Sequence, residues 1–199
     1  MQQWLKDLNQ SEAPARFTVV DSLLRRHIAA NITDLNGLFA AYAARDENAM
    51  TRWYFAGDQE VSWISDMADS VIRSRPATAS LYVASVRSEQ ANLAACCGSL
   101  LGAARVSCGD PSATCEFDAY ETLGVIEVFE ATVVRNQAPT SLAALDGRLQ
   151  RDLALVDNTL ETMAVAALAG DQAGFDAARV SLARAWPRVN ADIAQILGP

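Results

Sequence analysis

In the segment LQRDLALVDNTLETMAVAA, residues 149–167, the apolar residues Leu149, Leu153, Val156, Leu160, Met163 and Ala167 recur at alternating steps of four and three. That is the period of one buried stripe on a helix packed in a bundle, and it is not the two-residue alternation of a strand. Gly170-Asp171 interrupts the pattern, and Phe175, Ala178, Leu182, Val189, Ile193 and Ile196 resume it. The two runs predict an antiparallel helical hairpin with a short loop, its second arm kinked at Pro187.

Working towards the N-terminus, Ala138-Pro139-Thr140 ends a preceding helix, for which Asp118 and Glu121 form a capping-box start. Before it, Tyr82, Val86, Gln90, Leu93, Cys97, Leu100 and Ala104 trace another seam, with Pro76 tolerated at the first helical position. Asp58, after Gly57, is an expected N-cap for a helix presenting Trp63, Ile64, Met67 and Val71 and stopping at Ser74-Arg75-Pro76. Phe17, Val20, Leu24, Ile28, Ile32, Leu35, Leu38 and Tyr42 fit one helix from about Arg16 to Met50, which Thr33-Asp34 could divide. No segment combines alternation, β-branched enrichment and hairpin turn signals. The expectation is an all-α fold: a single helical-bundle domain over 1–199, up-and-down, with about four long helices and one or two short ones.

Of the 199 residues, 51% are hydrophobic and 20% charged, and Gly plus Pro number only 16, which excludes a disordered or collagenous chain. The net charge of −8, with no concentrated Arg stripe, argues against nucleic acid and anionic membranes. The longest uncharged stretch, Gln90–Ala104, falls short of the roughly 20 residues a membrane-spanning helix needs, so no membrane span is expected. Met1–Asp7 lacks a basic head followed by an apolar run, so no export signal is read there.

Cys96, Cys97, Cys108 and Cys115 fall within twenty residues. Their even, clustered number predicts disulfides in an oxidising compartment, so the expected location is extracytoplasmic, with a signal already removed. Cys108 with Cys115 is the simplest pair, because Gly109 and Pro111 let the intervening chain close a small loop. Free buried thiols, or a metal or redox site using all four sulfurs, are the alternatives. A lone histidine, His27, excludes HExxH hydrolases and paired Glu-x-x-His di-iron ligands, and a capped or solvated side chain is expected there.

Glu127 and Glu130 lie three apart among Val125, Ile126, Val128 and Phe129, with Glu121 and Arg135 near the helix ends, so ordinary surface placement or an ion pair to a neighbouring helix is expected. Were one carboxylate buried, the spacing would suit acid–base work or cation binding. Asp157 and Glu161 form a similar pair one helix on, and four carboxylates would converge if the two helices were neighbours. Trp53, Tyr54, Phe55 and Trp63 cluster about Gly57-Asp58, where they would line a ligand pocket, form a partner surface or plug the bundle end. Asn31-Ile32-Thr33 fits a glycosylation sequon. Phosphate-cradling loops, the GxSxG elbow and the EF-hand loop are all absent from the sequence.

With no catalytic constellation in view, the sequence predicts a non-catalytic, cofactor-free binding protein that engages a protein partner as an inhibitor, immunity-type protein or adaptor. A small-ligand sensing or carrier bundle is the alternative. A second alternative is a thiol redox or metal-binding protein built on the cysteine cluster.

Overall fold

The computed structural model describes residues 13–101 and 113–198 of the chain. Among these, α1 (Thr18–Ala44), α2 (Glu47–Ile72), α3 (Ala79–Leu101), α4 (Ala113–Arg135), α5 (Ala143–Ala169) and α6 (Gln172–Leu197) make an all-α fold. A two-residue pairing joins β1 (Arg75–Pro76) to β2 (Asn136–Gln137) in parallel. All six have 23 to 27 residues, and a short 3-10 turn, Ala15–Phe17, precedes α1. No helix among the described residues is long and apolar enough to cross a membrane. The chain divides into two compact units, one ending at Asp69 and the other beginning at Ser70.

The first unit is built on α1 and most of α2. The break between them falls at Arg45-Asp46, earlier than the sequence predicts. Arg45 takes a left-handed backbone (φ 58°), and the Asp46 N–H returns to the Ala41 carbonyl at 3.0 Å, closing the end of α1. Asp46 then caps α2, its Oδ1 accepting from the Ala49 N–H at 3.0 Å. Two expected breaks are corrected. Thr33-Asp34 lies inside α1, and Gly57-Asp58 lies inside α2.

Gly57 is instead where α1 leans on α2, since the Asn31 side-chain amide donates to the Gly57 carbonyl at 2.8 Å. Asn31 is buried and so engaged, which leaves no room for a glycan at the sequon. The two helices also approach closely at Gly37, where an added Cβ would stand 2.5 Å from ring carbons of Trp53.

In the second unit α3 packs on α4, α4 on α5 and α5 on α6, and α6 closes on α3. The β1–β2 pairing sets the start of α3 beside the end of α4, so those helices are antiparallel. Short connections at 136–142 and at Gly170-Asp171 reverse the chain twice more, as up-and-down topology requires. Gly170 ends α5 in a left-handed conformation (φ 67°), and Asp171 caps α6 by accepting from the Gly174 N–H at 3.0 Å. Val86, Leu93, Leu123, Ile126, Phe129, Leu149, Leu153, Leu160, Phe175, Leu182, Val189 and Ile193 fill the core.

Three finer expectations change. α3 starts at Ala79, beyond Pro76, with the Thr78 hydroxyl accepting from the Leu81 N–H at 3.3 Å. α4 begins at Ala113, so Asp118 lies inside the helix and not at its start. On α3, Glu89 is buried and Gln90 exposed, the reverse of the apolar seam. Pro187 lies inside α6.

Candidate functional site

The most buried line of α1 is not its most apolar one. Val20, Leu23, His27, Asn31 and Asp34 are buried, whereas the predicted seam residues Leu24, Ile32, Leu35 and Leu38 are half-buried and Tyr42 is exposed. Polar residues occupy this line because α2 supplies partners for them. His27 Nδ1 lies 2.5 Å from Glu60 Oε2, and its ring stacks on Trp63 with centroids 3.7 Å apart. The Arg26 guanidinium approaches His27 Nε2 at 2.8 Å. A guanidinium only donates, so Nε2 accepts and Nδ1 carries the proton that it donates to Glu60. His27 is therefore neither solvated nor a helix cap, correcting the expectation for it. Burial pushes the Glu60 carboxyl up to about 7, against the pull of the nearby Arg26 charge.

The four aromatic residues singled out from the sequence part company. Trp63 is buried against His27, and Trp53 is half-buried against Gly37. Tyr54 and Phe55 are 57% and 65% exposed. Two more exposed aromatic residues, Phe39 and Tyr42, stand three apart on the last turns of α1. The sequence reading missed Phe39 altogether and assigned Tyr42 to the core. Helical periodicity shows which residues share a face but not whether that face is covered.

In the second unit, Glu127 and Glu130 of α4 and Asp157 of α5 are all buried, and Glu161 is half-buried. The helices are neighbours, and they bring a carboxylate oxygen of Glu127 within 4.8 Å of one of Asp157. Two anions at that distance repel by about 3 kcal/mol at an effective dielectric constant near 20, so a proton, a cationic side chain or a metal ion must offset the charge. Hard oxygen donors of this kind suit a divalent cation, and facing helices are where bundles build such sites. Burial of both Glu127 and Glu130 corrects the surface placement expected of them. Their meeting with α5 was not legible in the sequence, because it depends on which helices are adjacent.

Of the cysteines, Cys96 and Cys115 are disulfide-bonded, and no described cysteine is a free thiol. Cys108 and the side chain of Cys97 lie outside the described residues, and with them the proposed Cys108–Cys115 pairing. No protein-family model, curated protein or solved structure matches the chain.

Proposed function

We propose that the protein is a non-catalytic binding protein that engages a protein partner with the Arg45-Asp46 end of the α1–α2 hairpin. The observation that carries this reading is the exposure of Phe39, Tyr42, Tyr54 and Phe55, by 57% to 73%, within a few turns of the Arg45-Asp46 bend. Single exposed aromatic side chains are ordinary, but where several lie near one another they are the usual anchors of protein interfaces. The net charge of −8 favours a basic partner surface through long-range steering. An oxidising, extracytoplasmic location accompanies this reading, supported by the bonded state of Cys96 and Cys115.

The test places a photo-crosslinking phenylalanine analogue at Tyr42 or at Phe55, with exposed Arg151 of α5 as the control position, in the cells that naturally make the protein. One discrete adduct from the two hairpin positions, absent at position 151, is the expected result. With the partner identified, Tyr42→Ser and Phe55→Ser are each expected to weaken binding by about tenfold or more. The same adducts from all three positions would overturn the proposal.

A second reading is favoured by a separate observation, the approach of Glu127 to Asp157. We propose that these carboxylates, with Glu130 one turn on, hold a divalent cation such as Mg2+, Mn2+ or Ca2+. Calorimetric titration with each ion should show saturable binding that Asp157→Asn removes. A stoichiometric complex unchanged in Asp157→Asn, or no heat with any of the three ions, sinks it.

A further inference from the structure

Between α3 and α4 runs a groove of about 510 Å³, lined by Glu89, Asn92, Ala95, Cys96, Val125 and Val128. Its volume is within the range of small-ligand sites. On α3 it extends from Glu89 to Cys96, seven residues and so roughly 10 Å of helix. Its walls are mostly apolar, and Cys96 adds a bonded sulfur and no nucleophile. Val128 is the odd residue here. It is 50% exposed, and the positions one heptad either side of it on the exposed strip of α4 are the charged Glu121 and Arg135.

Glu89 is the one ionisable residue lining the groove, and it is buried. Its carboxylate is held from both sides. Asn92 Nδ2 donates to Oε2 and the Thr132 hydroxyl of α4 donates to Oε1, each at 3.0 Å. A carboxylate offers about four acceptor positions, so two such bonds fix its orientation and leave capacity for further donors. A preorganised anion at one end of a mostly apolar channel is complementary to a cation bearing a hydrocarbon chain, because the head gains charge-assisted hydrogen bonds while the chain leaves water.

We propose that this groove binds a small alkylammonium compound, its ammonium on Glu89 and its chain along Ala95, Val125 and Val128. The site is distinct from the aromatic hairpin and from the Glu127–Asp157 carboxylates.

The experiment titrates n-hexylammonium into the full-length, unreduced protein in buffer containing EDTA, so that cation binding at Glu127 and Asp157 does not contribute. Binding is followed by calorimetry and by NMR shifts of Val125 and Val128. Saturable one-site binding is expected, about tenfold or more weaker for neutral n-hexanol and in Glu89→Gln, the loss that removing a charge-assisted contact produces. Circular dichroism confirms that Glu89→Gln is folded. Val128→Arg sits at an exposed position, so it preserves the fold while placing a competing cation in the groove, and it should abolish binding. Absence of saturable binding, equal affinity for hexanol, or undiminished affinity in folded Glu89→Gln or Val128→Arg would overturn the proposal.

Discussion

Arg45 holds a left-handed backbone that costs an L-residue about 1 kcal/mol and costs glycine almost nothing. The side chain is exposed, so little else is at stake. Arg45→Gly should therefore raise stability by up to about 1 kcal/mol, read as a higher urea midpoint at unchanged m-value. The same bend was invisible in the sequence because it contains neither Gly nor Pro, the residues by which turns are usually recognised.

Glu60 makes a second prediction at this scale. Its carboxyl is raised from 4.5 to about 7 by burial, so the folded state holds a proton that the unfolded chain releases earlier. The resulting stabilisation is complete below pH 4.5 and is lost as pH rises to 7, by something on the order of 3 kcal/mol. Unfolding free energies of the wild type across that window should fall with pH, and those of Glu60→Gln should fall by much less. Equal slopes would mean that the carboxyl titrates normally.

Among the elements, the α1–α2 contact shows how packing overrides intrinsic preference. Helix propensity alone favours Gly37→Ala by about 1 kcal/mol. The added methyl, however, would sit 2.5 Å from ring carbons of Trp53. Overpacking of that severity costs about 1–3 kcal/mol, so the variant should be destabilised and its tryptophan fluorescence altered. A more stable Gly37→Ala with unchanged emission would place Trp53 elsewhere.

Helical character was legible for every element, because steps of three and four are a property of the chain itself. Rotation about the helix axis was less so. On α1 the line of greatest burial passes through His27, Asn31 and Asp34, and on α3 through Glu89. A polar residue reads as solvent-facing until its partner is known, and here those partners are Glu60, Gly57, Asn92 and Thr132, each distant in sequence or on another turn.

For the whole molecule, the second unit forms a closed ring of four helices around its own core. A fragment of residues 70–199 should accordingly fold alone, with helical circular dichroism and one cooperative denaturation, disulfides intact. The hairpin fragment 13–69 has only two helices and should unfold without a sharp transition. A non-cooperative 70–199 fragment would show that the four helices do not make a self-sufficient core.

By itself the sequence determined the all-α class, the breaks at Ala138-Pro139-Thr140 and Gly170-Asp171, the stripes of α5 and α6, and the closeness of Glu127 to Glu130, since all of these depend on residues within a few turns of one another. Tertiary structure alone decided that Glu127 meets Asp157, that Trp63 is buried on His27 while Tyr54 and Phe55 face water, and that Glu89 anchors a groove. Those outcomes depend on which helix faces lie against one another, and local spacing carries no information about a neighbour many residues away.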